Sequence, residues 1–450
     1  MKYYCIGIKG TGMSTLAQIL FDIGNEVSGY DDAKEHKFTQ DGLEERGIPI
    51  YYDPNHEIDK DTIVTYSVAF KEDHPEIQRV KQLGLKIKKY SEIMGDVISM
   101  FKSIGVSGTH GKTTTASLIK HILANSIGCN YFIGAGDGYA STDNEYFVVE
   151  SDEFNRHFTA YHPKYSIITN IDAEHLECYK DIDDIRNTFE IFANQTSDFV
   201  IANGDNQEVR KINYNKKVIF YGFGFNNNVV IKNIKLEEKC SIFDIYINEE
   251  LYGSFEIPLY GKHMVLDACA AIILCKELGI EKEVIYNSLK TFKNAERRFD
   301  ITKFGRTIII DDYAHHPTEI KATIEGVKQK YPDKRIVVVF KPNTYSRTKD
   351  FKDDFVSALK IADKVYLTPI DSNREKQEEY PGITSELITS EIEGAEIITE
   401  ETINKLSNEV DSVVCFMSCA YVDKLIKSFK ELLIKINEAE ENMWLFSCHN

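Results

Sequence analysis

Short apolar runs recur along the whole chain, and most of them end in a glycine-rich or polar turn that opens a run with helical spacing of apolar positions. The short runs predict strands, and the amphipathic runs between them predict helices. Strands that alternate with helices are typical of an α/β fold with parallel sheets. A chain of 450 residues allows about three domains of ordinary size, and the pattern places them at 1–97, 98–298 and 299–450.

One stretch departs from this alternation of strands and helices. Between 229 and 257, apolar and polar positions alternate with a period of two between polar turns. This pattern predicts a small antiparallel sheet inside the second domain, in which we expect no catalytic residue. The segment 427–440 has the spacing of a charged helix near the end of the chain.

The second domain opens with the richest motif of the chain. A predicted strand runs into Gly108-Thr109-His110-Gly111-Lys112-Thr113-Thr114, and an amphipathic helix follows. Glycines let backbone N–H groups surround an anion, and a helix N-terminus adds partial positive charge. Lys112 can reach terminal phosphate oxygens and the Thr113 hydroxyl can bind Mg²⁺, so we interpret the stretch as an ATP phosphate loop. Its spacing is shorter than usual, and the alternative is a glycine turn that caps a helix and leaves the lysine in solvent.

Two further predicted strands of this domain end in candidate ligands. Glu150 follows the run 145–149, and His175 follows the run 165–169. Ligands of parallel α/β sheets bind beyond the carboxyl ends of the strands, so we expect both side chains near Lys112 and Thr113. A carboxylate and a threonine hydroxyl suit Mg²⁺, for which histidine is a less common ligand. Considered singly, each residue is more often a solvated polar side chain.

The chain begins with a similar turn. The strand at 3–8 leads into Gly10-Thr11-Gly12-Met13 and a helix, and Asp31 follows the next strand. Two glycines and a later carboxylate are partly typical of dinucleotide-binding domains, but Thr15 occupies the third glycine position. We expect a nucleotide-like ligand here, with a tight strand-to-helix turn as the structural alternative.

The third domain carries two polar strand ends. Asp311-Asp312-Tyr313-Ala314-His315-His316-Pro317 follows the strand at 307–310, and the run ending in Arg347 and Thr348 follows the strand at 336–340. Pro317 fits the first turn of a helix. A polar helix cap explains the proline but not two carboxylates, a tyrosine and two histidines on one turn.

Composition limits the partners. The formal net charge is −18, and an acidic chain is a poor binder of nucleic acids and anionic membranes. No apolar run is long enough to span a membrane. The nine cysteines form no C-x-x-C pair, which favours reduced thiols in a cytoplasmic protein.

Taken in order, the motifs resemble the Mur ligases, the ATP-dependent amide-forming family of bacterial cell-wall synthesis. The resemblance covers nearly the whole chain. It rests on Gly7–Met13, Gly108–Thr114, Glu150 with Arg156-His157-Phe158, Thr169–His175, Arg297–Phe299, Asp311–Pro317 and Thr344–Thr348. The third and sixth of these motifs resemble the members of the family that add L-alanine.

The resemblance implies a Rossmann-like UDP-sugar domain, a central P-loop-type ATPase domain and a C-terminal Rossmann-like domain that closes over the amino acid. It implies that ATP and Mg²⁺ are used to join L-alanine to the lactyl carboxylate of UDP-N-acetylmuramate through an acyl phosphate. The product would be a peptidoglycan precursor. These substrates are small molecules, and we expect a monomer or weak homodimer.

The resemblance also implies roles for individual residues. The catalytic residues would be Lys112, Glu150, His175, Arg298 and Asp312, and the metal ligands Thr113, Glu150 and His175. ATP would contact Gly108, Thr109, His110, Gly111, Lys112, Thr113, Thr114, His263 and Asp267. The UDP-sugar would contact Gly10, Thr11, Gly12, Met13 and Asp31, and the amino acid Tyr313, His315 and Arg347.

Three alternatives stay open at the level of sequence. A related ligase could add a recycled peptide, or glycine or serine, to the same sugar. An NAD-dependent oxidoreductase built on the first domain is opposed by Thr15 and by the loop at 108–114. A nucleotide-driven switch without ligase chemistry leaves the cluster at 311–317 without a purpose.

Overall fold

The computed structural model describes residues 1–134, 136–174, 178–372 and 375–447, with side chains up to residue 439. The chain divides into two compact units. The first unit consists of Met1–Ile234, Phe243–Ile257 and Leu266–Phe292. The second consists of Lys235–Ile242, Pro258–Val265 and Lys293–Asn450.

The N-terminal part of the first unit alternates strands and helices. In chain order these are β1 (Lys2–Ile6), α1 (Thr11–Asp22), β2 (Glu26–Tyr30), α2 (Asp41–Glu45), β3 (Ile50–Tyr51), β4 (Ile63–Tyr66), α3 (Pro75–Gln82), β5 (Lys86–Ile87) and α4 (Tyr90–Ser99). The strands form one sheet in the order β3-β2-β1-β4-β5, and the hydrogen-bonded neighbours are parallel.

Strand β1 is buried on both faces, as its apolar sequence predicts. Tyr3 and Cys5 belong to one hydrophobic cluster, and Tyr4 and Ile6 belong to another. Strands β2 and β3 lie on one side of β1, and β4 and β5 lie on its other side. The carboxyl end of β1 is therefore a topological switch point, where α/β sheets bind ligands.

The central part of the first unit is larger. Its elements are β6 (Lys102–Ser107), α5 (Lys112–Ala124), β7 (Asn130–Ile133), β8 (Asp137–Tyr139), β9 (Tyr146–Glu150), β10 (Tyr165–Ile168), α6 (Ile182–Gln195), β11 (Phe199–Asn203), α7 (Gln207–Arg210), β12 (Lys217–Gly222), β13 (Val229–Leu236), β14 (Ser241–Ile247), β15 (Glu250–Ile257), α8 (Lys262–Glu277) and α9 (Lys282–Lys290). A few residues of β13, β14 and α8 belong to the second unit.

These strands form one ten-stranded sheet in the order β15-β14-β13-β12-β11-β10-β6-β9-β7-β8. Strand β6 pairs in parallel with β9 on one side and β10 on the other. The carboxyl ends of these three strands therefore lie side by side. The strands predicted as a small sheet at 229–257 are not separate: they continue the central sheet, because β13 pairs with the free edge of β12.

The two sheets of the first unit share one hydrophobic cluster. It includes Leu16 of α1 and Met94 of α4 together with Phe158 and Phe189 from the central part. A Cβ on Gly138 of β8 would lie 2.1 Å from Cγ2 of Thr15 on α1, so the β8 backbone packs directly against this side chain. The packing joins most of the first two predicted domains into one compact unit. The domain boundaries after 97 and 298 stay predictions.

The second unit holds a six-stranded sheet. Its elements are β16 (Asp300–Phe304), β17 (Thr307–Asp312), α10 (Pro317–Lys330), β18 (Ile336–Phe340), α11 (Tyr345–Asp350), α12 (Lys352–Leu359), β19 (Lys364–Leu367), α13 (Glu386–Thr389), β20 (Glu396–Ile397), β21 (Val413–Met417) and α14 (Asp423–Ser447). The strand order is β16-β17-β21-β18-β19-β20; the edge pair β16–β17 is antiparallel, and the other four neighbouring pairs are parallel. Among the described residues, no helix is long and apolar enough to cross a membrane.

The close packing at β1 generates a stability prediction. A Cβ on Gly29 of β2 would lie 2.4 Å from the carbonyl oxygen of Cys5 and 2.6 Å from Cδ1 of Ile8. We expect Gly29→Ala to lower the free energy of unfolding by about 1–3 kcal/mol, because the backbone of β1 cannot move away. The matched control is Gly253→Ala on β15, whose nearest neighbours would be the Lys282 side chain and the Phe255 ring, both at 3.3 Å and not backbone. Urea unfolding measures the free energy of unfolding of both variants. An equal loss in Gly29→Ala and Gly253→Ala would contradict the packing argument.

Candidate active site

The loop between β6 and α5 has the backbone of an anion-binding turn. Gly108 has φ 140° and Gly111 has φ 84°, conformations that side-chain-bearing residues rarely adopt. A Cβ on Gly108 would lie 1.9 Å from the Thr169 hydroxyl oxygen. Helix α5 begins at Lys112, and no side chain caps its N-terminus. The backbone N–H groups of its first turn and its partial positive charge are therefore suited to an anion.

Residues after β10 hold this loop in place. Asn170 accepts from the backbone N–H of His110 at 2.9 Å and donates to the His110 carbonyl at 2.9 Å. The Thr109 N–H donates to the Asn170 carbonyl at 3.0 Å. The Thr169 hydroxyl donates to the same His110 carbonyl at 2.5 Å. Sequence reasoning placed Asn170 after a strand but did not predict that it shapes the loop.

Lys112 is bound by four oxygen atoms. Its Nζ lies 2.6 Å from the Gly108 carbonyl and 3.3 Å from the Thr109 carbonyl. It lies 2.9 and 2.8 Å from the two carboxylate oxygens of Glu153, which follows β9. Burial alone would lower the pKa of Lys112, but the charges of Glu153, Asp152 and Glu150 raise it above its ordinary value. The ammonium is therefore charged at neutral pH.

Thr113 and Glu150 are adjacent, as the sequence predicted. The Thr113 hydroxyl lies 3.1 Å from both carboxylate oxygens of Glu150, at the end of β9. One hydroxyl and one carboxylate offer the hard oxygen ligands that Mg²⁺ prefers, so this pair fits such an ion. The third predicted ligand, His175, lies outside the described residues.

Two other predicted ATP contacts of the first unit are buried near the loop. Asp267 of α8 is 6% exposed, and a Cβ on Gly111 would lie 2.5 Å from its Oδ1. The carboxylate therefore covers the glycine turn directly. Thr114 is buried in the first turn of α5. The predicted contacts of Asp267 and Thr114 with ATP stay predictions.

The N-terminal turn offers a second free helix end. Gly10 is the N-cap of α1 without a side-chain cap, and Thr11, Gly12 and Met13 form the first turn. Asp31 is buried, and its carboxylate accepts from the backbone N–H groups of Lys9 at 2.9 Å and Ala33 at 3.0 Å. Asp31 thus fixes the loops around this helix end, and its direct contact with a UDP-sugar stays a prediction.

In the second unit, Asp312 organises the turn that carries several predicted residues. Its carboxylate accepts from the Phe299 N–H at 2.7 Å, the Ala314 N–H at 2.9 Å and the Thr323 hydroxyl at 3.1 Å. Burial raises the pKa of Asp312, although the charge of Arg298 and these hydrogen bonds act in the opposite direction. The carboxylate belongs to strand β17, two residues beyond the strand end expected from the sequence.

The predicted amino-acid site is also in the second unit. The Arg298 guanidinium lies 4.6 Å from the centre of the Tyr313 ring, and the Tyr313 and His315 rings meet edge-on at 5.5 Å. His315 Nδ1 lies 3.0 Å from the Tyr313 carbonyl. Arg347, in the helix α11, donates from Nη1 to the Asn343 side chain at 3.0 Å. The structure thus clusters Arg298, Tyr313 and His315.

His263 and Arg297 complete the predicted motifs of this unit. His263 follows the first residue of α8, and its ring would lie 2.6 Å from a Cβ on Gly261. Arg297 donates from Nη2 to the carbonyls of Ser418 and Ala420, both at 2.8 Å. Arg297 therefore fixes the turn after β21, a role that sequence spacing could not show.

Comparison with known proteins identifies the family. The description "Mur ligase family, catalytic domain" matches residues 2–102, "Mur ligase middle domain" matches 106–275, and "Mur ligase, glutamate ligase domain" matches 297–418. Two curated relatives, from Lacticaseibacillus casei (strain BL23) and Lacticaseibacillus paracasei, are each described as UDP-N-acetylmuramate–L-alanine ligase. Each is 41% identical over 432 residues, which is 96% of this chain and 98% of the relative. The chain belongs to the Mur ligase family.

Solved structures agree on the Mur ligase fold. The UDP-N-acetylmuramate–alanine ligase MurC of Thermotoga maritima is 24% identical with a TM-score of 0.77, covering 98% of this chain and 100% of its own. A murein peptide ligase of Psychrobacter arcticus is 20% identical with a TM-score of 0.67, covering 96% and 98%. The MurF ligase of Thermotoga maritima, solved in complex with ADP, is 17% identical with a TM-score of 0.64, covering 92% and 96%. The three-domain α/β architecture of this Mur ligase is thereby confirmed.

The hydrogen bonds of Asp312 generate a prediction for this Mur ligase. In Asp312→Asn an amide N–H₂ replaces one acceptor oxygen and faces a backbone N–H group, so at least one buried hydrogen bond is lost. We expect the free energy of unfolding to fall by about 1–3 kcal/mol. The control is Asp300→Asn on β16, which makes the same change at an exposed side chain. Urea unfolding measures both, and an equal loss in the two variants contradicts the role given to Asp312.

Proposed function

We propose that this Mur ligase joins L-alanine to the lactyl carboxylate of UDP-N-acetylmuramate and converts ATP to ADP and phosphate. Two relatives described by this activity match nearly the whole chain at 41% identity. The observation that carries the chemistry is the phosphate loop, in which Lys112 and Thr113 begin a helix at the carboxyl end of β6. Glu150 contacts Thr113 from the neighbouring strand.

The reaction would proceed in two transfers. The lactyl carboxylate attacks the γ-phosphorus of ATP, the bond to the ADP oxygen breaks, and ADP leaves with the electron pair. The alanine amine then attacks the carbonyl of the acyl phosphate. The tetrahedral intermediate expels phosphate as the C–O bond breaks and the amine loses a proton. Phosphoryl transfer needs positioning and charge neutralisation more than covalent help from the protein.

The first unit supplies the groups for the phosphoryl transfer. Lys112 would neutralise terminal phosphate oxygens, and the N–H groups of the loop would bind the remaining ones. We assign Thr113 and Glu150, with His175, to Mg²⁺, which when bound neutralises charge on the transferred phosphoryl group. Gly10–Met13 would bind the diphosphate of the UDP-sugar at the N-terminus of α1.

The second unit supplies the groups for the amide-forming step. Arg347 would bind the carboxylate of L-alanine through two parallel N–H···O bonds. Tyr313 and His315 would line the same pocket, and Arg298 and Asp312 keep their predicted catalytic assignments. Because the nine cysteines favour reduced thiols, we assign the enzyme to the cytoplasm, and we propose a monomer or weak homodimer.

A second candidate function is the addition of a recycled peptide, or of glycine or serine, to the same sugar. The murein peptide ligase of Psychrobacter arcticus shares the fold. An assay of phosphate release distinguishes the two candidate functions. It contains Mg·ATP and UDP-N-acetylmuramate, with L-alanine, glycine, L-serine or the recycled tripeptide as the acceptor amine. Release that requires both the sugar and L-alanine supports the proposal. Release with the tripeptide but not with L-alanine supports the second candidate.

The phosphate loop generates a prediction for catalysis. Lys112→Ala removes the lysine ammonium that would neutralise the terminal phosphate oxygens of ATP. Phosphate release should therefore fall by at least about a hundred-fold. Circular dichroism should show a folded protein. The matched control is Lys120→Ala on the same helix, where the lysine pairs with Asp137 away from the loop. Retained turnover in Lys112→Ala would refute the loop assignment.

The amino-acid assignment generates a second kinetic prediction. Arg347→Lys keeps the charge but loses the planar pair of donors, so the KM for L-alanine should rise about ten- to a hundred-fold. The KM for ATP should change little. Lys349→Ala, two residues along the chain at an exposed position, is the control. An unchanged KM for L-alanine in Arg347→Lys would remove this residue from the pocket.

A further inference from the structure

Glu153 is a buried carboxylate to which the proposed reaction assigns no role. Its side chain is 3% exposed, and that of Lys112 is 13% exposed. Both carboxylate oxygens contact the Lys112 ammonium, at 2.9 and 2.8 Å. Two carboxylates at and just beyond the end of β9 thus face consecutive residues of α5: Glu150 contacts Thr113, and Glu153 contacts Lys112.

The donors of the ammonium are fully used by these contacts. An ammonium has three protons, and Nζ of Lys112 has four acceptor oxygens within 3.3 Å. Two of these acceptors are carbonyls of the loop itself, from Gly108 and Thr109, and only Glu153 is charged. A phosphate oxygen that binds Lys112 must therefore replace or share a contact, and it carries the same sign of charge as Glu153.

The backbone around Glu153 is held firmly. Its carbonyl accepts from the Tyr179 hydroxyl and from the Arg156 N–H, the latter at 2.8 Å. Asn155 and Arg156 follow in left-handed conformations, with φ 50° and 58°, which cost free energy for residues other than glycine. Such strain persists only where surrounding contacts fix it. The position of the Glu153 backbone beside Lys112 is therefore fixed by the protein itself.

We propose that Glu153 is a positioning residue that acts as the internal counter-ion of Lys112 and competes with the phosphates of ATP for its ammonium. In the empty loop, Glu153 supplies the negative charge that a phosphate supplies after binding. The pair keeps the buried ammonium charged and folded onto the loop carbonyls. It also opposes nucleotide binding, because the like charges of Glu153 and the phosphates must approach one ammonium.

This inference rests on the proposed binding of ATP at the loop, but not on the identity of the amino acid. Glu153→Gln keeps the shape of the side chain and removes its charge. The empty variant should melt at a lower temperature than the parent enzyme, because Lys112 loses its counter-ion. Mg·ATP then restores that charge, so the rise in Tm on adding Mg·ATP should be larger in the variant. A purely structural role would lower Tm equally with and without nucleotide.

Binding measurements give the sharper test. With no sugar or amino acid present, isothermal titration should show Mg·ATP binding roughly ten-fold more tightly to Glu153→Gln than to the parent, the size expected for removing one like charge close to a phosphate. In the ligase assay, the KM for ATP should fall with the Kd. Glu153→Asp has a shorter side chain that cannot keep both contacts with Nζ, so its Kd for Mg·ATP should fall by less than that of Glu153→Gln. It replaces Glu153→Gln in the test if the glutamine variant does not fold.

The matched control is Asp152→Asn, which removes the same charge one residue away at an exposed side chain. Its effect on the Kd should be clearly smaller than that of Glu153→Gln, because the charge of Asp152 also acts on Lys112 but is exposed and screened. The proposal is overturned if both Glu153 variants bind Mg·ATP no more tightly than the parent, or if Asp152→Asn tightens binding equally. A parent enzyme that binds ATP but does not ligate L-alanine would instead contradict the proposed function and leave this comparison valid.

Discussion

The parallel pairing of β6 with β9 determines the chemistry of this Mur ligase more than any other interaction. Val106 of β6 pairs with Glu150 of β9, so the two strands end side by side. Strand β6 continues into the glycine turn and α5, and β9 ends at Glu150, with Glu153 three residues further along the chain. Lys112 and Thr113 thereby meet one carboxylate each. The site has oxygen ligands for a divalent cation and an ammonium whose charge is balanced within the protein.

Much of the fold could be predicted from the pattern of apolar residues, because local periodicity and burial agree in buried parallel strands. Strand β18 shows why: Ile336, Val338 and Phe340 face one cluster, and Val337 and Val339 face another. The glycine turn before α5 was predictable for a related reason. Glycines before a lysine at the start of a helix are a local feature, and the structure places Gly111 at a left-handed N-cap as that reading requires.

Partners that lie far apart in the chain could not be predicted. Arg297 binds carbonyls 121 and 123 residues away, and Lys112 binds a carboxylate 41 residues away. Only the tertiary pairing of strands creates these contacts. For the same reason, the sequence could not show that the Asp312 carboxylate is a buried acceptor that holds a turn, and its catalytic role stays a prediction. A motif shows which residue types occur together in the sequence, but only the tertiary structure shows which atoms each side chain contacts.

We propose that this enzyme activates a carboxylate by phosphorylation. The most direct measurement uses UDP-N-acetylmuramate with ¹⁸O in its lactyl carboxylate, together with Mg·ATP and L-alanine, and analyses the released phosphate by mass spectrometry. An acyl phosphate transfers one carboxylate oxygen to the phosphate, so with both carboxylate oxygens labelled we expect one ¹⁸O atom in each phosphate formed. Phosphate without label, released alongside the amide product, would contradict the acyl-phosphate route.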